Sequence, residues 1–197
     1  MEIRAFRPAD EPALYEICLR TGDAGEDATG KYADPKLLGH LYVGPYLALE
    51  PELAFVLDDG GGTPVGYVLG ALDTERFEAA CELSWWPELR RRYPAPARPR
   101  TADDQLILQL HHPFRQSREI TARYPSHLHI DLLPAAQGRG YGRALLERLF
   151  EALRAGGSPG VHLGVSSRNQ RAIGFYRRVG FEELASFPTH LLMGRSL

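Results

Sequence analysis

Between residues 133 and 149 the chain reads LPAAQGRGYGRALLERL. Three glycines alternate with an arginine and a tyrosine, and an apolar stripe at helical spacing (Leu145, Leu146, Leu149, Leu153) begins at once. A strand that ends in such a turn and feeds a helix leaves the first backbone N–H groups unpaired and sets the positive end of the helix dipole beside them. That arrangement holds anions. Gly138, Gly140 and Gly142 carry no Cβ to keep phosphate oxygens away from those amides, although glycines that serve only a tight strand-to-helix turn would give the same pattern. A dinucleotide fingerprint GxGxxG needs glycine at 143, where Arg143 stands, and a P-loop needs Gly-Lys followed by Ser or Thr. Neither fits; the pattern present is Q-x-x-G-x-G, on Gln137, Gly140 and Gly142.

The stretch before the loop, HLHIDLL, has the period of a strand. Leu128, Ile130 and Leu132 share one face, and His127, His129 and Asp131 the other. Polar side chains on a central strand are either paired or open onto a wet cleft. Asp131 or His127 is therefore a candidate general base, or the anchor of a water that relays a proton, with a structural His–Asp network as the competing reading. On the acceptor side, Asp23, Glu26 and Asp27 can attract a cationic amine, and Tyr32, Trp85 and Trp86 can wall a cleft. Acidic loop residues that are merely solvated fit the same composition.

The elements that must position these groups follow from periodicity. EIRAF alternates as a first strand, and PADEPALYEICLRTG reads as a helix capped by Asp10 and stopped at Gly22. Residues 22 to 36 have no periodicity and form a long loop, placed over a site. ELAFVLDDGGGTPVGYVLGAL is a hairpin, and RFEAACELSWWPELRRRY is helical until Pro87 disturbs it. PAPARPR then breaks the pattern, and 102 to 123 is helical in pieces, so residues 74 to about 123 read as an excursion within one domain of 1–197. The last third runs strand, glycine loop, helix to about Ala155, strand GVHLGVS, helix NQRAIGFYRRVG, then FEELASF and HLLMGRSL, an α/β sheet with at least one parallel crossover.

Composition narrows the partners. Lys and Arg number 23 against 25 acids, a formal charge of -2, which predicts no nucleic-acid or anionic-membrane partner. Cys18 and Cys81 stand alone without metal-ligand spacing, so neither a disulfide framework nor a metal is expected. No apolar leader or spanning stretch is apparent, which predicts a soluble, cytoplasmic protein.

At Gln137 to Gly142, and again at NQRAIGFYRRVGF, the chain resembles the GCN5-related N-acetyltransferase (GNAT) superfamily. The segments TGDAGEDATGKYADPKLLGHLYVGPYLALEP, AFVLDD, GYVLGALDT and GRSL are similar to the C-terminal acetyltransferase-like domain of O-GlcNAcase and its stand-alone bacterial relatives, so the resemblance covers nearly the whole chain. It implies a GNAT fold: a mixed, mostly antiparallel central sheet with a parallel, splayed strand pair, flanked by helices. It also implies acetyl-CoA as cofactor and an amine, small molecule or protein, as acceptor. The backbone amides of Gly138, Arg139, Gly140, Tyr141, Gly142 and Arg143 would grip the pyrophosphate, helped by the side chains of Gln137, Arg139 and Arg143. Backbone N–H groups near Asp131, Leu132 and Leu133 would hold the thioester carbonyl and pantetheine.

Tyr176 would reach the sulfur as the acid, where helix pattern alone makes it a core residue, and Asn169 would cap its helix and face the cofactor arm. With a phenol titrating near about 10 and a thiol near about 8.5, hydrogen-bond support of the leaving sulfur is the sound expectation for Tyr176. Sugar hydrolysis is not implied, because the likeness is to the other domain. In the animal enzymes that domain is regarded as a degenerate acetyltransferase whose phosphate loop is lost, whereas here the loop is intact. The expected function is acetyl transfer to an amine; the alternative is a CoA-binding pseudo-acetyltransferase, or a regulatory or protein-recognition module.

Overall fold

The structure is a computed structural model describing residues 1–197. Seven strands form one sheet: β1 (Glu2–Ala5), β2 (Ala54–Asp58), β3 (Pro64–Ala71), β4 (Ser126–Leu132), β5 (Gly160–Ser166), β6 (Glu182–Ser186) and β7 (His190–Ser196). Their order is β1-β2-β3-β4-β5-β7-β6, and every neighbouring pair is antiparallel except β4 with β5. That parallel pair matches only Ser126 with Val161 and His127 with His162 before the strands part. No helix is long and apolar enough to cross a membrane.

Helices cover both faces, so β2 and β3 read as nearly continuous apolar runs rather than as an alternation. On one face α8 (Tyr141–Ala155) buries Leu145, Leu146, Leu149, Phe150 and Leu153 completely against Phe55, Leu57, Val68 and Leu128. The stripe expected of this helix is the stripe it buries. Gly70 marks its closest approach to the sheet: a Cβ there would lie 2.6 Å from Leu149 Cδ1. On the other face α1 (Glu11–Arg20), α2 (Leu37–Tyr42), α3 (Gly44–Leu49) and α6 (Ala102–His111) pack over Val56, Tyr67 and Leu69.

Asp10 differs from its expected role. Its side chain does not cap α1; it accepts the Arg7 amide at 2.8 Å and the Arg4 guanidinium at 2.7 and 2.9 Å. Arg4 also donates to Asp58 at 3.0 Å, so one half-buried cation joins the edge strand, the turn into α1 and the β2–β3 hairpin.

The excursion is α4 (Thr74–Ala80), a π-turn over Cys81–Trp85, α5 (Trp86–Arg92), α6 and α7 (Arg118–Thr121). The π-turn has a simple cause: the Trp86 amide donates back to Cys81 O, and this widened turn lets Pro87, which has no N–H to give, enter the first turn of α5. The excursion fixes the long loop before α2. Asp103 accepts the amides of Ala33 and Asp34 at 2.9 Å each, and the Tyr93 hydroxyl donates to Asp34 at 2.7 Å.

Because α8 is held to the sheet by fully buried leucines, Leu149→Ala should destabilise the protein by about 2–5 kcal/mol in urea denaturation. A loss below about 1 kcal/mol would mean that α8 is not anchored as described.

Candidate active site

Where β4 and β5 part, they leave a cleft of about 460 Å³ lined by residues of β4, the glycine loop, α9 (Gln170–Arg178) and the loop after α1. Backbone polarity follows from the β3–β4 register. The Leu133 amide donates to Val65 O at 2.9 Å, so by antiparallel alternation the amides of Ile130 and Leu132 turn away from β3 and into the splay. The Leu132 carbonyl is taken by Gln137 Nε2 at 2.7 Å. Gln137 thus supports the turn from within. Leu133 packs its side chain on the α1 side of the sheet and is not part of the cleft wall.

Gly138 and Gly140 both adopt left-handed conformations, φ 72° and 84°, and Gly140 is the N-cap of α8. Side chains are disfavoured there whatever the space, and the space beyond both Cα atoms is open. Gly142 has a different reason to be glycine: a Cβ would sit 3.3 Å from Phe175 Cζ, where α8 and α9 meet. The first capping bond of α8 runs from Ala144 N to Gly140 O, which leaves the amides of Gly138 through Arg143 without backbone partners.

Arg143 lines the cleft, whereas the Arg139 side chain is exposed outside it and Tyr141 packs its ring into the core, contributing only its amide. Sequence reading missed Arg171 and Arg178, which also line the cleft; Arg171 donates to Gln137 Oε1. Their spacing with Phe175 (171, 175, 178) is that of one helix face, a signal present in the sequence. Open space above left-handed glycines, unpaired amides at a helix start and three arginines together fit a ligand carrying several phosphates.

The three polar residues of β4 have separate fates. His127 lies away from the cleft, with Tyr46 Oη 2.7 Å from Nε2 and Thr74 Oγ1 2.8 Å from Nδ1, and burial holds its pKa well below the usual range. Both ring nitrogens are occupied, so the structural network, and not the base, describes His127. Asp131 does line the cleft; its Oδ2 accepts the Tyr67 hydroxyl at 2.6 Å, and burial pushes its carboxyl pKa upward, partly offset by that hydrogen bond. His129, half-buried between them, meets no hydrogen-bonding group of the protein.

Tyr176, only 8 % exposed, is both a core residue and a cleft residue. Its hydroxyl has no protein partner, and burial followed by the Asp131 charge raises its pKa. The phenol therefore keeps its proton and can donate it in a hydrogen bond. Asn169 caps α9 by accepting the Ala172 amide at 3.0 Å, and it borders the cleft beneath Gly25, whose added Cβ would lie 2.7 Å from Asn169 Nδ2.

The residues expected to meet the acceptor are not brought to the cleft. Asp23 is neutralised: Lys31 binds it at 2.9 Å and Arg168 binds it as well, which together hold its carboxyl below the usual range. Asp27 turns back on its own loop to accept the Thr29 amide at 2.8 Å. Trp85 donates Nε1 to His40 O at 2.9 Å, and Tyr32 packs against the α1-side core. What this stretch contributes to the cleft is Thr21, at the end of α1, and Gly25 of the long loop. The loop does lie beside the site, tied across the end of the splay by Asp23 and Arg168.

Comparison with known proteins agrees with this geometry. Residues 111–181 match the family model of the acetyltransferase (GNAT) family. Protein O-GlcNAcase of Rattus norvegicus is 29% identical over 204 residues, a match covering 99% of this chain but 22% of that protein's length. The crystal structure of SsHAT superposes with a TM-score of 0.94 at 48% identity, covering 99% of this chain and 97% of the other. YncA from Salmonella typhimurium, solved with its cofactor acetyl-CoA, shares the fold at a TM-score of 0.60 and 19% identity, with 100% and 94% covered. With glycine loop, splayed pair and whole-chain likeness to SsHAT in agreement, this chain belongs to the GNAT acetyltransferase superfamily, close to the acetyltransferase-like domain of O-GlcNAcase.

Proposed function

We propose that the chain is an acetyl-CoA-dependent N-acetyltransferase, carrying acetyl to an amine. The observation that carries this reading is the convergence on one cleft of the unpaired amides of Gly138 to Arg143, a carboxylate at Asp131 and an unpartnered hydroxyl at Tyr176. A module that only recognised protein would have no use for a phosphate cradle open above two left-handed glycines.

The loop amides, with Arg143, Arg171 and Arg178, would hold the pyrophosphate of acetyl-CoA, and the inward amides of β4 would hold its pantetheine arm and thioester carbonyl. When bound, acetyl-CoA supplies an activated acetyl thioester for attack by the amine. Asp131 takes the proton that the amine nitrogen gives up, on the carboxylate oxygen not used by Tyr67. The raised carboxyl pKa makes it a better proton acceptor than an exposed aspartate. Tyr176 keeps its own proton on Oη and donates a hydrogen bond to the departing sulfur.

The direct test incubates the protein with acetyl-CoA and a panel of lysine peptides, polyamines, amino sugars and aminoglycosides, and follows free CoA thiol together with the mass of the amine. Acetylated amine at a rate above the buffer reaction is expected; tight acetyl-CoA binding with no product from any amine would contradict the enzyme reading. Tyr176→Phe should lower kcat roughly tenfold or more while leaving acetyl-CoA affinity within about twofold. Unchanged kcat would make Tyr176 a packing residue.

Asp131→Asn should separate function from stability. The folded carboxyl keeps its proton to a higher pH than the unfolded one, near about 3.9, so folding takes up a proton and stability is lost as pH rises through the folded pKa. Asparagine, which still accepts from Tyr67, should therefore raise the melting temperature at neutral pH, with the gain vanishing below about pH 4, while turnover falls about 100-fold. A variant less stable than the parent at neutral pH would show that the charge serves the fold.

A further inference from the structure

The polar face of β4 leaves one group unaccounted for. His127 has both ring nitrogens engaged and Asp131 has one oxygen engaged, but neither nitrogen of His129 meets a donor or acceptor of the protein. The one buried side-chain polar atom without a partner is His40 Nε2, so the nitrogens of half-buried His129 are not sealed from solvent. The imidazole does not float there. Tyr46 meets it edge-on with centroids 5.2 Å apart, and Tyr42 meets it at 5.6 Å with the planes tilted by 59°. The Tyr42 hydroxyl is already spent on Gln109 Oε1 at 2.8 Å, so the tyrosine presents its ring rather than its oxygen.

A histidine packed between two aromatic rings, with neither nitrogen hydrogen-bonded to the protein, is arranged for a ligand. Its place selects which ligand. His129 and Asp131 point to the same face of β4 about 7 Å apart along the strand, a gap that one small donor can bridge. This is also the α1 side of the sheet, opposite the α8 side from which the glycine loop starts. Burial lowers the ring pKa to about 4, so at neutral pH the imidazole is uncharged, with one nitrogen bearing hydrogen and the other a lone pair. It can accept a hydrogen bond and does not repel a cation.

Building on the acetyltransferase reading, we infer that His129 binds the acceptor: its bare ring nitrogen accepts a hydrogen bond from a primary amine that enters beside the Tyr42 ring and points its lone pair toward the splay. The flanking rings are apolar, so the amine is carried on an apolar stem. Specificity on this side is then set by β4 and α2, and not by the acidic loop after α1.

The test has an arm that needs no acetyl-CoA. In protein labelled at histidine, n-butylamine should shift the His129 ring resonances in proportion to added amine and leave His127 unmoved. In kinetics with n-butylamine, His129→Phe, which keeps the shape between the two tyrosines, should raise the amine KM at least tenfold at unchanged acetyl-CoA affinity. His129→Gln, which restores an acceptor, should recover part of the loss. No shift at His129, or a shift no larger than that of partly exposed His190, would overturn the inference, as would an unchanged KM in His129→Phe. Failure of acetyl transfer with every amine would overturn the enzyme reading instead, because the butylamine shift is read without the cofactor.

Discussion

Two register pairs hold β4 to β5, Ser126 with Val161 and His127 with His162, and beyond them the strands diverge. A sheet tolerates this only where something else accounts for the opened backbone, since unpaired amides and carbonyls shut away from water are penalised. Here the Leu132 carbonyl is taken by Gln137, while the inward amides of Ile130 and Leu132 are left facing the cleft. The splay thus creates the site, and the two cores fix its width. The leucines of α8 hold the β4 side from one face, and the α1-side helices hold it from the other.

Charge is arranged with the same economy. Arg143, Arg171 and Arg178 line the cleft, and its only carboxylate is Asp131. Asp23 and Asp27 of the loop after α1 are tied up in holding that loop, through Lys31, Arg168 and Thr29. On the proposed function, these arginines take the polyanionic arm and the carboxylate faces the amine.

Much of this was readable from the chain because it is local. The glycine loop declared itself because left-handed backbone at 138 and 140 admits little else, and the α8 stripe because one face at helical period is buried. The alternation in HLHIDLL gave the two faces of β4. What it could not give was which polar residue is already satisfied. His127 is saturated by Tyr46, 81 positions away, and by Thr74, 53 away, and period-two reasoning treats it as equal to His129. Asp23 misled for the same reason, since its neutralising Arg168 lies 145 positions away. The six-residue helices α2 and α3 fell in a stretch too short and glycine-broken to show a period, although they carry Tyr42 and Tyr46. By its position before α1, Asp10 fits a cap; its partner Arg4 stands on the edge strand.

The central claim is that the glycine loop at the start of α8 is a pyrophosphate cradle. Calorimetric titration of acetyl-CoA into the parent protein and into Gly140→Val tests it most directly, because valine is strained at a φ of 84° and its branches would project into the open space over the loop. Micromolar or tighter binding by the parent, lost in the variant while the melting transition persists, is the predicted result. Absence of binding by the parent, or equal affinity in the two proteins, would mean that these glycines serve the turn alone.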